Sequence, residues 1–273
     1  MIDLSSARRS KIGQGVLPCC LTIAGSDSGG NAGVQADLRT FHAFGVHGCT
    51  VFTALTAQNP NSVAAIHLLD GDFVASQLNA VLGVYSIAAL KTGMIGSAEV
   101  VEVVATKLKS HPEIIKIVDP VIVATSGNAL VSSDAITALK KYLLPMADLI
   151  TPNILEAEML WGREVKTESD IFAAAQGLSE EYGCKVLVKG GHGDMPRARD
   201  ILFDGGEFSV YELERIISPM STHGTGCTLA SAVAAGLALG KDLKDAVMDA
   251  KKYVHNAIAT SYLVGESCGV LGF

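Results

Sequence analysis

Short apolar runs of strand type alternate with helical patterns along most of the chain, and this alternation constrains the fold more than any other feature. The runs include CCLTIAG, CTVFTALTAQ, IAALKTG, IIKIVDPV, DLITPN and KVLVKG. Segments between them, such as VQADLRTFHAF, carry apolar residues at helical spacing. Continuous apolar strands that alternate with helices indicate a mostly parallel sheet covered by helices on both faces. We therefore predict an α/β fold.

One segment departs from this pattern and predicts an antiparallel hairpin. RDILFDGGEFSVYEL holds two alternating stretches about Asp204-Gly205-Gly206, a turn signal that suits the edge of a sheet. No internal repeat or low-complexity linker interrupts the chain. We predict an N-terminal arm at residues 1–17, followed by a single domain at residues 18–273.

Charge and hydropathy exclude two classes of partner. The net charge is −7 and no basic cluster is present, which argues against nucleic-acid binding. Residues 40–69 and 216–240 lack formally charged side chains, but the first stretch contains several polar ones. The apolar part of the second, from Thr228 to Gly240, is 13 residues long, short of the ~20 that cross a bilayer. We predict a buried core helix there and a cytoplasmic protein without membrane contact.

The cysteines give no sign of a disulfide framework or a zinc site. There are six, with no CxxC pair and no histidine at a spacing suited to zinc. We expect reduced thiols, and we assign His42, His47, His67, His111 and His255 to the surface or to satisfied core positions.

Ligands of parallel α/β sheets bind beyond the carboxyl ends of the strands, and the polar residues of this chain follow that rule. Six predicted strand ends carry polar or glycine-rich sequences: Gly25-Ser26-Asp27, Gln58-Asn59, Gly93-Met94, Asp119-Pro120, Thr151-Pro152-Asn153 and Lys189-Gly190-Gly191. We predict that they form one rim.

Three of these motifs each have an ordinary structural explanation. GSDSGGNAG suits either a close backbone approach to a ligand or a flexible turn, and its spacing fits neither GxGxxG nor a Walker loop. In TPNILEAE, Asn153 and Glu156 suit a helix capping box at least as well as a Mg²⁺ site. Lys189 in VKGGH suits a phosphate, but a lysine that ends a buried strand is the commoner case.

THGTGCT is the most specific motif. Gly224, Thr225, Gly226 and Cys227 precede the apolar helix, so unpaired N–H groups and the helix dipole would converge on an anion. Such a group stabilises the charge that develops in phosphoryl transfer. A helix N-terminus also lowers a thiol pKa, which would favour a Cys227 thiolate. The alternative is a small buried cysteine packed in a glycine turn.

Taken together, these motifs resemble the ribokinase-like kinases. Within that family they are most similar to the hydroxymethylpyrimidine/phosphomethylpyrimidine kinase branch. The resemblance extends from Leu21 to Tyr262, and seven motifs carry it in the family's order: TIAGSD…AGVQADLRTF, TALTAQN, KTGM, DPVIVATSG, LITPNILEA, VKGGH and THGTGCTL. It implies a three-layer sandwich with an edge hairpin, use of ATP and Mg²⁺, and a homodimer.

The resemblance also implies roles for individual residues. An aminopyrimidine would contact Gly25, Asp37, Gln58, Met94 and Val121. The nucleotide would face Asp119, Asn153, Lys189, Thr222, Gly224 and Thr225, and Mg²⁺ would be held through Asp119 and Glu156, partly by water. Gly224, Gly226 and Cys227 would be catalytic, with the thiolate as base. The first glycine loop departs from the family pattern at Asn31, a residue type that tolerates left-handed geometry.

The implied activity is ATP-dependent phosphorylation of 4-amino-5-hydroxymethyl-2-methylpyrimidine and then of its monophosphate, as in thiamine biosynthesis. Most ribokinase-like sugar kinases carry Asp at the position of Cys227, so GTGC favours the pyrimidine branch. Two alternatives stay open: a pyridoxal (vitamin B6) kinase, and a non-catalytic pyrimidine-binding regulator on the same fold. A nicotinamide oxidoreductase fails on glycine spacing.

Overall fold

The computed structural model describes residues 16–60, 62–122, 131–191, 197–266 and 268–273. Across these ranges the main sheet has nine strands. In chain order they are β1 Cys19–Asp27, β2 His47–Asn59, β3 Ser62–Leu68, β4 Ile87–Thr92, β5 Ile115–Val118, β6 Leu149–Ile150, β7 Lys185–Lys189, β8 Arg197–Asp204 and β9 Glu207–Glu214.

The sheet is mostly parallel, as the alternation predicted. Its spatial order is β3-β2-β1-β4-β5-β6-β7-β8-β9. The six strands from β2 to β7 in that order pair in parallel. β3 at one edge and β8 and β9 at the other pair antiparallel. The hairpin about Gly205-Gly206 therefore forms an edge of the sheet, which confirms that prediction.

Helices cover both faces of the sheet and complete the three layers. They are α1 Gly33–Phe44, α2 Gly71–Leu82, α3 Ala98–Leu108, α4 Ser133–Ala138, α5 Ile154–Trp161, α6 Glu168–Tyr182, α7 Thr225–Ala238 and α8 Leu243–Ala259. One hydrophobic core lies between the sheet and α2 to α6, and a second lies between the sheet and α1, α7 and α8. This is the ribokinase-like α/β sandwich that the resemblance implied.

The apolar segment after THGTGCT is a buried helix, as predicted. Residues from Thr228 to Gly236 of α7 are all buried, between the sheet and α8, which explains why this helix is apolar on every side. α7 begins at Thr225 rather than at Thr228, so most of the GTGC motif belongs to its first turn. Nowhere in the described ranges is a helix long and apolar enough to span a bilayer.

Some predicted details changed and others fall outside the described residues. α4 continues as a π turn over Leu139–Leu143 and a 3₁₀ turn over Leu144–Met146. The C-terminal segment forms a second, two-stranded sheet of β10 Tyr262–Val264 and β11 Cys268–Val270, which the sequence did not predict. Most of the predicted arm, part of the DPVIVATSG motif and His192 lie outside the described residues.

Candidate active site

The predicted rim surrounds one cavity of about 640 Å³ at the carboxyl ends of the parallel strands. All but one of the residues that the sequence assigned to the site line this cavity. They are Gly25, Gln58, Met94, Asp119, Val121, Asn153, Glu156, Lys189, Thr222, Gly224, Thr225, Gly226 and Cys227. The six strand ends therefore contribute to a single site, and Asp37 is the exception.

The N-terminus of α7 meets the first glycine loop at the middle of this cavity. Gly224 caps α7 with a left-handed backbone of φ 88°. A Cβ atom at Gly224 would lie 1.9 Å from the Asn31 carbonyl oxygen. The first N–H groups of a helix have no partner within the helix, and the start of α7 lines the cavity, so this turn has the form of an anion-binding turn.

A lysine–aspartate pair stands beside that turn. Lys189 Nζ lies 2.7 Å from Asp119 Oδ1, which also accepts a 2.9 Å hydrogen bond from Thr151 Oγ1. A Cβ at Gly226 would be 3.4 Å from Lys189 Nζ. Burial lowers the pKa of Lys189, but Asp119 and then Glu156 outweigh it and raise the pKa above its ordinary value. The ammonium is therefore held charged beside the first turn of α7, an arrangement suited to a phosphate.

Asn153 and Glu156 form the capping box of α5, as one interpretation of the sequence predicted. The Asn153 side chain accepts the Glu156 N–H at 2.9 Å, and Glu156 Oε2 accepts the Asn153 N–H at 2.8 Å. The Glu156 side chain is nevertheless buried and lines the cavity. Burial raises its pKa to about 7, against the opposing effect of Lys189. A carboxyl group in this state gains from a nearby cation, so the cap does not exclude a metal role.

We expect the Glu156→Gln variant to be more stable than the parent above pH 7. A raised carboxyl pKa means that the folded state favours the protonated form. The shift therefore adds to the free energy of unfolding below pH 4.5, and this added stability is lost as the pH rises towards 7. Glutamine keeps the capping geometry without the charge, so urea unfolding should show an advantage of about 1–3 kcal/mol at pH 8. The advantage should disappear near pH 4.5, and a constant difference across this range would contradict the buried-carboxyl account.

Asp37 does not line the cavity, and this corrects its predicted contact with the aminopyrimidine. Its carboxylate is fully buried beneath the site, with Lys91 Nζ 3.0 Å from both oxygens. Thr22 and Ser231 donate to the same oxygens at 2.6 and 2.7 Å. Each carboxylate oxygen thus accepts two hydrogen bonds, which uses its capacity and leaves none for a ligand. Asp37 instead neutralises the buried charge of Lys91. No sequence motif pointed to Lys91 as its partner.

The structure also reverses the expected ionisation of Cys227. Burial is the largest effect and raises the pKa of this thiol. Lys91 and the Gly33 N–H lower the pKa, whereas the Asp37 and Asp119 carboxylates raise it further. The position at the start of α7 does not outweigh burial and two nearby anions. Cys227 therefore keeps its proton at neutral pH in the unliganded site.

Asp27 and His223 organise the first glycine loop, although the sequence analysis gave neither a role. Asp27 accepts the N–H groups of Gly29, Asn31 and Ala32 at 2.8 to 3.0 Å. Burial raises its pKa, but the His223 contact at 3.3 Å and these N–H groups outweigh burial and lower it.

His223 also approaches Gln58, with 3.4 Å between Gln58 Nε2 and His223 Nε2. It thereby links three segments of the cavity wall: β1, β2 and the turn before α7. Asn31, a residue type that tolerates left-handed backbone geometry, does not adopt it here. The neighbouring Gly30 does, with φ 78°.

The other end of the cavity is built from parts of the chain that carry no motif. Its walls come from the end of β9 with the segment after it and from α8: Leu213, Glu214, Arg215, Ile216, Val254, His255 and Ile258. A buried ion pair closes this end, with Lys251 Nζ 2.6 Å from Asp200 Oδ2. The cavity therefore extends from the ends of β1 and β2 to β9 and α8, and the turn before α7 belongs to its lining.

A helix N-terminus and a charged lysine that line one cavity of an α/β sandwich are the arrangement expected of a phosphotransferase. Comparison with known proteins gives the family. Residues 27–272 match the family model of phosphomethylpyrimidine kinase, and the chain belongs to that family.

Three relatives illustrate the match. A hydroxymethylpyrimidine/phosphomethylpyrimidine kinase of Rhizobium meliloti is 44% identical over 88% of this chain and 90% of its own length. A thiamine biosynthesis bifunctional protein of Geobacter sulfurreducens is 45% identical over 91% of this chain, which spans only 51% of that longer protein. The ADP complex of Bacillus subtilis pyridoxal kinase superposes with a TM-score of 0.87 at 36% identity, covering 94% of this chain and 97% of its own.

Proposed function

We propose that this kinase transfers the terminal phosphoryl group of ATP first to the hydroxymethyl oxygen of 4-amino-5-hydroxymethyl-2-methylpyrimidine. It then transfers a second phosphoryl group to the resulting monophosphate. The observation that carries the proposal is the turn from Gly224 to Cys227, which begins α7 and lines the same cavity as Gln58 and Lys189. We assign the aminopyrimidine to a small compartment lined by Gly25, Gln58 and Met94, and the nucleotide to the compartment lined by β9 and α8.

The small compartment has the chemistry that an aminopyrimidine needs. Gln58 offers an amide that can donate and accept, and Met94 offers a polarizable apolar face. A Cβ at Gly25 would lie 3.6 Å from Met94 Sδ, an ordinary contact. Gly25 and Met94 are therefore close neighbours in the wall of this compartment. We propose that Val121 lines the same compartment.

The nucleotide and its metal are assigned to the charged side of the cavity. Lys189, Asn153, Thr222 and Thr225 would contact the phosphates of ATP, and Asp119 and Glu156 would hold Mg²⁺, partly through water. The buried Glu156 carboxyl with its raised pKa fits such a cation. When bound, Mg²⁺ would neutralise charge on the transferred phosphoryl group. Lys189 and the N–H groups of α7 would orient that group and stabilise its negative charge.

Pyridoxal is the second candidate substrate, because a pyridine with a hydroxymethyl arm has a similar shape and the Bacillus subtilis relative carries that name. An ADP-release assay with Mg·ATP should compare the hydroxymethylpyrimidine, its monophosphate and pyridoxal. We expect both pyrimidines to have the higher kcat/KM. Turnover of pyridoxal alone would assign the protein to the alternative branch, and tight pyrimidine binding without turnover would indicate the non-catalytic regulator.

Cys227 is proposed to take the proton of the hydroxymethyl group in the first step alone. In the second step the acceptor is already a phosphate and needs little help from a base. We expect Cys227→Ala to lower kcat of the first step by about 10²–10⁴-fold and to affect the second step much less. Equal losses in both steps would reject the role as base.

The pH profile gives an independent check on Cys227. Because burial raises the thiol pKa, the thiolate is scarce at neutral pH and increases about tenfold with each pH unit below that pKa. The kcat of the first step should therefore rise with pH above 7, and the rise should be absent in Cys227→Ser. A first step that is flat with pH in the parent protein would contradict the proposal.

Gln58→Ala should raise KM for the hydroxymethylpyrimidine about tenfold with little change in KM for ATP, since the loss of one or two polar contacts costs on the order of 1–2 kcal/mol. His67→Ala, an exposed change on β3, is the control. Steady-state kinetics with each substrate varied in turn measure both constants. A rise in KM for ATP instead would show that the two compartments are assigned the wrong way round.

The remaining assignments concern the whole molecule. We propose a single kinase domain at residues 18–273 after an N-terminal arm, and a cytoplasmic homodimer. Exposed apolar side chains cluster on β2, β3 and α2, among them Leu55, Ile66, Leu68 and Phe73, and they support this face as the subunit interface. Light scattering during gel filtration tests the dimer, and a monomer at micromolar concentration would contradict it.

A further inference from the structure

Two cysteines and a histidine meet at the amino-terminal ends of β1 and β2, far from the candidate active site. The parallel pairing of these strands places His47 opposite Cys19, and Cys49 opposite Leu21. Cys19, Leu21 and Cys49 belong to the same hydrophobic core, so their side chains share one face of the sheet. Gly25 lies six positions after Cys19 along β1, which places this cluster about 20 Å from the cavity.

The three ligand atoms have the separations of a metal site. The thiol sulfurs and a ring nitrogen of His47 all lie within 4.8 Å of one another. Cys19 Sγ and Cys49 Sγ are 3.5 Å apart. Two thiolates bound to tetrahedral zinc at ~2.3 Å are separated by about 3.8 Å, so coordination requires only a small adjustment of the side chains.

The surroundings favour coordination. The His47 ring stacks on Tyr85 with centroids 5.6 Å apart and planes 16° apart, which restrains the orientation of the imidazole. His47 is exposed, whereas Cys19 and Cys49 are buried. A cation can therefore enter from solvent through the histidine side.

We propose that Cys19, His47 and Cys49 bind a thiophilic divalent cation, with Zn²⁺ the preferred ion and water in the fourth position. Two thiolates and a neutral imidazole balance the charge of the ion, so the apolar core needs no further counter-ion. The ligands are brought together by strand pairing, and their sequence pattern of Cys-x₂₇-His-x-Cys matches no compact zinc motif. That is why the sequence analysis predicted no zinc site.

Burial explains how the cluster behaves without metal. It raises the pKa of Cys19 to about 12 and also raises that of Cys49. Both thiols therefore carry their protons when no ion is bound. Binding of the ion releases their protons and ties the beginning of β1 to β2.

Cobalt(II) is the probe, because its spectrum reports both thiolate ligation and tetrahedral geometry. The full chain, reduced and freed of metal by a chelator, is titrated with Co²⁺. We expect one ion per chain, with thiolate-to-cobalt charge-transfer absorption and intense visible bands. Added Zn²⁺ should abolish both. Saturation with Zn²⁺ should raise the melting temperature by on the order of 5 °C.

Ligand variants locate the site. His47→Ala and Cys49→Ala should each weaken Co²⁺ binding at least tenfold and remove the zinc-dependent rise in melting temperature. His47 is exposed, so its removal opens no core cavity and decides the question even if Cys49→Ala folds poorly. His111→Ala and Cys268→Ala are matched controls with a histidine and a thiol outside the cluster. Absence of the charge-transfer band, or its persistence in His47→Ala, would overturn the proposal.

Discussion

Gly224→Ala is expected to lower kcat/KM for both phosphoryl transfers by about 10²–10³-fold, the loss found when anion-stabilising N–H groups are misplaced. The added Cβ would lie 1.9 Å from the Asn31 carbonyl oxygen, and the residue has φ 88°. The left-handed backbone disfavours any residue with a side chain, and the Asn31 carbonyl leaves no room for the added Cβ. The turn at the start of α7 and the first glycine loop must therefore separate, which moves the anion-binding N–H groups.

Gly240→Ala is the matched control. Gly240 follows the same helix and has a nearly equal φ of 83°, but no heavy atom lies within 4 Å of its added Cβ. It should lose about 1 kcal/mol of stability from backbone strain and retain its kcat/KM. Steady-state kinetics and urea unfolding of both variants separate strain from site geometry. Equal kinetic losses, or full activity in Gly224→Ala, would contradict the assignment of this turn.

Lys91→Met is expected to have the largest effect on stability, a loss of about 3–5 kcal/mol, because it leaves the Asp37 carboxylate buried without a counter-charge. Lys91 and Asp37 are both inaccessible to solvent, and Lys91 Nζ contacts both carboxylate oxygens at 3.0 Å. The pKa of Lys91 is raised because Asp37 and other nearby acidic groups outweigh burial. Urea unfolding at neutral pH measures the loss.

The double variant Lys91→Met/Asp37→Asn tests the cause. It removes both charges, while the amide can still accept from Thr22 or Ser231. The free energy of unfolding that the double variant loses should be about 2 kcal/mol smaller than the sum of the losses in the two single variants. Lys166→Met, which breaks an exposed pair with Glu164, should cost less than 1 kcal/mol. Additive losses at Lys91 and Asp37 would show that the two charges are not coupled.

The arrangement of the sheet could be predicted because it depends on patterns within short segments. Apolar runs and helical spacing identify the strands and helices, and Gly205-Gly206 marks the edge hairpin. Parallel pairing then brings six strand ends to one side. The β10–β11 hairpin escaped prediction because its strands are only three residues long and β10 is exposed at every position, so neither strand shows an apolar alternation.

Properties of the site that depend on distant partners could not be read from the sequence. Asp37 and Lys91 are 54 positions apart, and nothing local distinguishes a ligand-binding aspartate from one that neutralises a buried lysine. The Cys227 pKa depends on burial and on two carboxylates from other elements, so its position at a helix N-terminus gave the wrong sign. Glu156 shows the opposite case: the capping box was visible locally, but the burial that raises its pKa was not.

Product analysis of a single reaction tests the central claim most directly. The purified protein is mixed with Mg·ATP and the hydroxymethylpyrimidine, and the phosphorylated products are resolved by mass spectrometry over time, with Gly224→Ala as the slow control. The account predicts that the monophosphate appears first and is converted to the diphosphate, with two ATP consumed per pyrimidine. A reaction that stops at the monophosphate, or phosphorylation of pyridoxal in place of the pyrimidine, would contradict it.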